Sequence, residues 1–325
     1  MSTSLRALCG TLSATALLLV AGCGTGSEPS APEPGQLRVV TALYPFQFVS
    51  ERVAGTSAQV SNLVAPGAEP HDLELSPRQL IEIAEADVVV YQSGFQPAVD
   101  EAVAQNAPEV VVDVADLVTL QEVPGHAHGE EEHTEPAHAE EDHEGHDHGS
   151  EQGLDPHTWL DPENLAAVAT GVADALATAA PEQAATVRSN AEALEQELDT
   201  LDQDFATGLE TCERREFITS HAAFGYLATR YDLEQIGISG ISPDAEPSPA
   251  RIAAIHAEAE EHGITTIFTE TLVSPAVAEA IAGDLGLTTD VLDPLEGLTE
   301  QSRGSDYIAV QRANLEALRT ANGCS

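Results

Sequence analysis

From residue 37 onward, short runs of β-branched and aliphatic residues alternate with longer stretches in which apolar positions recur every three or four residues. The first pattern predicts strands and the second amphipathic helices. Strands are expected at 37–41, 59–64, 87–91 and 110–112, with helices at 45–54, at 77–84 and near 98–104. Ser76-Pro77 supplies a helix start, with Ser at the N-cap and Pro at the first helical position. A helix over 163–178 follows, and Pro181 opens another that reaches about 209. The second half repeats the alternation, with strands at 216–219, 235–238, 265–268 and 289–292. Its helices are expected at 222–231, 248–262, 274–285 and 305–321. Strands alternating with helices imply parallel sheets.

The stretch after Pro181 is polar on most faces, with apolar residues at Val187, Ala191, Leu194, Leu198 and Leu201. That narrow stripe suits a rod between domains better than a core helix. The expected fold is therefore two Rossmann-like α/β lobes, 37–180 and 211–325, joined by a long rigid helix over 181–210.

Residues 121–152 interrupt the periodicity. They hold seven histidines (His126, His128, His133, His138, His143, His146 and His148) and eleven acids, with no Arg and no apolar residue larger than Val. Such a segment cannot bury enough surface to fold alone and is expected to be disordered.

The N-terminus carries a different signal. Arg6, the apolar stretch 12–21 and Gly22 before Cys23 form an export signal over 1–22. Val20-Ala21-Gly22-Cys23 resembles the lipobox of bacterial lipoproteins, which implies lipidation of Cys23. Residues 23–36, rich in Gly, Ser, Pro and Glu, form a flexible tether. The expected location is extracytoplasmic, anchored to the cell membrane by lipid. Cys212 and Cys324 then remain as a pair in an oxidising space, where a disulfide is expected. Two thiolate metal ligands are the rival reading.

Charge narrows the partners. The chain of 325 residues has 55 Asp and Glu against 12 basic residues, all Arg, for a formal charge of −43. That excess excludes nucleic acid as a partner, because phosphate binding needs clustered cations.

Three histidines outside the His-rich segment occupy loops flanking helices. His71 follows a strand in a Pro/Gly-rich loop, His157 lies between two Asp-Pro pairs, and His221 follows the strand at 216–219. Asp293 and Glu270 follow two further strands. Ligands of open α/β folds bind beyond the carboxyl ends of strands. Three imidazoles and a carboxylate suit Zn²⁺. Taken singly, a histidine at such a loop is more often a cap or surface residue than a ligand.

The surrounding motifs add to this reading. Pro66-Gly67-Ala68-Glu69-Pro70-His71-Asp72, Asp155-Pro156-His157-Thr158-Trp159-Leu160-Asp161-Pro162, Thr219-Ser220-His221-Ala222-Ala223-Phe224-Gly225-Tyr226 and Leu292-Asp293-Pro294-Leu295 occur in that order. They resemble the metal-site motifs of the cluster A-I solute-binding proteins, zinc- and manganese-binding lipoproteins of bacterial ABC importers. The resemblance covers the chain from Val39 to the terminal helix. It implies a metal in the cleft between lobes, held by His71, His157 and His221, with Asp293 or water as the fourth ligand. It places Glu270 near the cleft, outside the usual ligand set. A histidine at position 221 favours zinc, since Mn²⁺ prefers harder oxygen donors; some members with this set accept either ion. The implied partners are zinc, a membrane permease and its ATPase, with the protein a monomer. The His-rich segment is expected to hold further Zn²⁺ weakly. An adhesin role and a zinc-dependent hydrolase are the alternatives; no His-Glu-x-x-His motif supports the latter. His256, His262 and Trp159 are read as surface or packing residues.

Overall fold

The computed structural model describes residues 36–106, 108–123 and 153–325. The signal over 1–22, Cys23, the tether up to residue 35 and the seven histidines from His126 to His148 lie outside these residues.

The N-terminal lobe holds β1 (Leu37–Thr41), α1 (Tyr44–Ala54), β2 (Ala58–Asn62), α2 (Pro77–Glu85), β3 (Val88–Tyr91), α3 (Pro97–Asn106), β4 (Val111–Asp113) and α4 (Pro162–Ala179). Its strands form a parallel sheet in the order β2-β1-β3-β4. The run Val88-Val89-Val90 is fully buried, as expected of an inner parallel strand covered on both faces. The helix starts are written locally. Ser76 accepts from the Gln79 N–H while the Gln79 side chain returns to the Ser76 backbone, a reciprocal cap that satisfies two otherwise unpaired donors. Asp161 caps α4 ahead of Pro162.

After α5 (Ala184–Gly208), the C-terminal lobe holds β5 (Glu216–Thr219), α6 (Gly225–Arg230), β6 (Glu234–Gly237), α7 (Pro249–Glu261), β7 (Thr266–Thr269), α8 (Ala276–Leu285), β8 (Thr288–Val291) and α9 (Tyr307–Asn322). Its parallel sheet has the order β6-β5-β7-β8, the same relative order as the first. α6 begins at Gly225 rather than at 222. The preceding backbone is committed elsewhere: Ala222 N–H donates to the Gly240 carbonyl, and Thr219 Oγ1 donates to the His221 carbonyl. The His221 carbonyl, which would accept the first bond of a helix starting at 222, already accepts from Thr219 Oγ1 and Gln235 Nε2.

α5 is the long helix expected between the lobes, but its apolar stripe is built into the core. Val187, Ala191, Leu194, Leu198, Leu201 and Phe205 form one fully buried stripe at three- and four-residue spacing. The helix packs along α1 and α4 and reaches α9. One apolar core runs through both lobes, from Val39 and Phe46 by way of Trp159 to Leu295 and Leu318. Among the described residues no helix is long and apolar enough to cross a membrane.

Cys212 and Cys324 are bonded across 112 residues of sequence and tie the end of α9 to the start of the C-terminal lobe. Constraining so long a loop is worth about 2–4 kcal/mol. Cys324→Ser is expected to lower urea stability by that amount under oxidising conditions only. An unchanged denaturation midpoint would show that the surrounding contacts hold the terminus without it.

Candidate metal centre

Parallel α/β sheets open a crevice where successive connections leave in opposite directions. In the C-terminal lobe that point lies between β5 and β7, and His221 and Glu270 follow those two strands. Glu270 holds the histidine with both oxygens: Oε1 accepts from the His221 N–H at 3.0 Å, and Oε2 lies 2.6 Å from His221 Nδ1. His221 Nε2 is thereby turned away from Glu270.

In the N-terminal lobe two buried glutamines position the loops. Gln92, just past β3, donates to the Pro156 carbonyl at 2.7 Å and accepts from Thr158 Oγ1 at 2.6 Å. Gln96, just before α3, donates to the Pro70 carbonyl at 3.0 Å. Asp155 Oδ1 accepts from the His157 N–H at 2.9 Å and lies 2.8 Å from His157 Nδ1. Glu69 accepts from the His71 N–H at 3.0 Å, and burial is the main cause pushing its carboxyl upward. His71 stacks edge-on against Phe95, with ring centres 4.9 Å apart.

The three Nε2 atoms converge on one carboxylate oxygen, and it belongs to Glu296. Glu296 Oε1 lies 3.1 Å from His71, 3.3 Å from His157 and 3.4 Å from His221, and the two buried imidazole Nε2 atoms are 3.4 Å apart. All four donor atoms lie within 4.8 Å of one another. A tetrahedral zinc ion with bonds of about 2.0–2.1 Å needs its ligand atoms about 3.3 Å apart. Most of the spacing is already in place. His157 and His221 are wholly buried and Glu296 is 1% exposed, whereas the His71 side chain is 10% exposed.

Asp293, the carboxylate expected beside the histidines, is not in this group. Its Oδ1 accepts from the Leu295 N–H at 2.9 Å, and its Oδ2 from Ser302 at 2.8 Å and Thr271 at 3.3 Å. Asn314 of α9 clamps its backbone from both sides. These bonds spend its acceptors on a tight loop in which Leu295 is held at φ 59°, a left-handed conformation that non-glycine residues rarely adopt. The next residue is Glu296. Its position three residues past Asp293 was readable, but the turn that swings it into the cleft was not. Glu270 is likewise a support for His221.

Electrostatics bind the group together. Burial alone would drive Glu296 up, but hydrogen bonds with His157, His221 and His71 hold it well below the usual carboxylate range. Burial opposes charge on His221, yet the charge and hydrogen bond of Glu270, aided by Glu296, raise it to about 10. His157 is also raised: Asp155 and Glu296 outweigh its burial. Asp293 is raised, chiefly by burial. Without metal, a proton on His221 offsets the charge of Glu296.

Trp159 packs as expected of a buried indole. Its Nε1 donates to the Pro294 carbonyl at 2.8 Å, while Tyr307 donates to its carbonyl. His262 lies between Glu216 and Glu258, 3.2 and 3.3 Å away, away from this centre.

Residues 39–321 match the family described as the zinc-uptake complex component A, periplasmic. The zinc-binding protein AdcA of Streptococcus pyogenes serotype M3 is 36% identical over 295 residues, which cover 88% of this chain and 56% of that protein. The chain thus spans little more than half the length of this relative. The high-affinity zinc uptake system protein ZnuA of Bacillus subtilis is 35% identical over 94% of both chains. The crystal structure of the Zn(II)-bound ZnuA-like domain of Streptococcus pneumoniae AdcA superposes with a TM-score of 0.70 at 33% identity, covering 89% of this chain and 99% of that one. Matched over nearly all of its described length, and built from two parallel-sheet lobes around a cluster of three histidines and a glutamate, the chain belongs to the family of zinc-uptake complex component A.

Proposed function

We propose that this protein captures Zn²⁺ outside the cytoplasm and hands it to the permease and ATPase of an importer, acting as a lipid-anchored monomer through Cys23. The ion is cargo, and no reaction is performed on it. One observation carries the reading: four donor atoms from His71, His157, His221 and Glu296 meet within 4.8 Å, with Glu296 Oε1 3.1 to 3.4 Å from all three nitrogens, close to the spacing of a tetrahedral ion. Three nitrogens and one oxygen favour zinc over manganese.

A hydrolase needs an open coordination position and a free general base. Four protein donors leave no such position. Glu270, the nearest candidate base, has both oxygens committed to His221.

X-ray absorption of the zinc-loaded protein tests the site. A shell of four nitrogen or oxygen neighbours at about 2.0–2.1 Å, including three imidazoles, is expected. A shell containing sulfur, or tighter binding of Mn²⁺ than Zn²⁺ in competition, would overturn it.

The His-rich segment serves as an auxiliary collector of weakly held zinc. Shortening the chain within 124–152 is expected to leave one tight site in isothermal titration and remove only weaker sites. Loss of the tight site would reject that division of labour.

A further inference from the structure

The two imidazoles buried deepest are supported in different ways. His221 is held by Glu270, which belongs to the same lobe. The carboxylate that holds His157, Asp155, is itself fixed by the opposite lobe. Asp155 stands at the foot of a short antiparallel pairing between 121–123 and 153–155, in which Asp155 N–H donates to the Gln121 carbonyl at 2.8 Å and Val123 N–H donates to the Gly153 carbonyl.

In an antiparallel pair of this kind, two facing residues exchange both of their N–H···O bonds. Here the second bond is missing and a tyrosine hydroxyl stands in its place. The Gln121 N–H donates to Tyr226 Oη at 2.9 Å, and that hydroxyl donates to the Asp155 carbonyl at 3.0 Å. Tyr226 is 1% exposed and sits in α6, five residues after His221. Its neighbour Gly225 completes the fit: a Cβ at that position would lie 2.4 Å from Asp155 Oδ2. The Oδ1 of the same carboxylate faces His157.

We propose that Tyr226, with the space left by Gly225, is a positioning residue for the zinc site: it sets Asp155, and through Asp155 the orientation of His157. This rests on the zinc-binding reading above. One segment of the C-terminal lobe then supplies His221 directly and readies His157 from across the cleft. The N-terminal lobe alone lacks the hydroxyl that braces the carboxylate aiming its own buried imidazole.

Partners of metal-bound histidines commonly change affinity by about tenfold to a hundredfold when removed. Tyr226→Phe keeps the buried ring and removes only the bridging hydroxyl. The full chain carrying this change is expected to bind Zn²⁺ about tenfold to a hundredfold more weakly in chelator competition. Its Co²⁺-loaded form should show altered visible absorption bands, because one imidazole is misaligned. Gly225→Ala, which pushes on Asp155 from the other side, should change both readouts in the same direction. It carries the test if Tyr226→Phe fails to fold. In an Asp155→Ala background, which removes the side chain that faces His157, Tyr226→Phe should add no further loss.

Wild-type zinc affinity and an unaltered cobalt spectrum in both single variants overturn the proposal. So does a loss from Tyr226→Phe that persists in full in the Asp155→Ala background, since the tyrosine would then act by another route. The underlying reading is checked separately with His157→Ala. If that variant keeps the wild-type tight site, the site assignment fails; if it loses the site while Tyr226→Phe and Gly225→Ala do not, only the positioning role fails.

Discussion

Glu296→Ala is expected to weaken zinc binding by about a thousandfold, whereas Asp293→Asn weakens it by about tenfold. The estimate follows from dividing the roughly 10–16 kcal/mol typical of a four-ligand zinc site among its donors, which gives about 4 kcal/mol for each at the upper end. Glu296 Oε1 is the one atom that all three imidazole Nε2 atoms approach, so its loss also strips the site of its negative charge. Asp293 acts at a distance, by bracing the Leu295 turn through Oδ1, and asparagine keeps an oxygen for that bond. His157→Ala should match Glu296→Ala in size, since its imidazole is wholly buried and nothing else can fill the position. Chelator competition gives both numbers. If Asp293→Asn is the more damaging of the two, the carboxylates must exchange roles on metal loading, and the present assignment fails.

The second large effect is on pH. With His221 raised to about 10, the metal-free cluster holds a proton on that imidazole at neutral pH, and His157 is raised in the same direction. Zinc can enter only by expelling that proton, and each one expelled makes affinity climb about tenfold per pH unit. The proton on His221 alone gives about tenfold per unit, so between about pH 7.5 and about pH 5.5 affinity should fall by at least about a hundredfold, and His157, also raised, steepens the fall. The metal-free protein should respond in the opposite sense. A raised folded-state pKa means that the contribution of His221 to stability is complete below about 6.5 and is lost as pH rises toward 10. Unfolding temperatures recorded with and without zinc across this range should therefore converge at acid pH and diverge on the alkaline side. Parallel curves would show that the cluster holds no displaceable protons.

Much of this was readable from the chain because the signals are local. The Val-rich run of β3, the Ser76-Pro77 helix start and the Asp-Pro frame around His157 each act within a few residues, and each forms as its composition demands. The grouping of His71, His157 and His221 came from ordered motifs, since their separations span nearly half of the chain. What the sequence left hidden depends on long-range geometry. The fourth member of the cluster turned on the left-handed Leu295, a conformation that no residue preference announces. Gln92 and Gln96, which hold both N-terminal histidine loops, looked like ordinary polar residues at helix and strand ends. The polar faces of α5 concealed how completely its single apolar stripe would be covered.

The slight exposure of His71 bears on kinetics. Three of the four donors are sealed, while His71 sits at the rim on a stretch, 63–76, with no helix or strand of its own. Tight capture and rapid hand-over make opposing demands on one binding site, since high affinity usually means long residence. A single peripheral ligand on a loop eases the conflict. The ion can shed its outermost bond first and pass through a short-lived three-coordinate stage that water or an acceptor's own donor completes. The outermost bond then sets how readily release begins, while the sealed three still set how firmly the cargo is held.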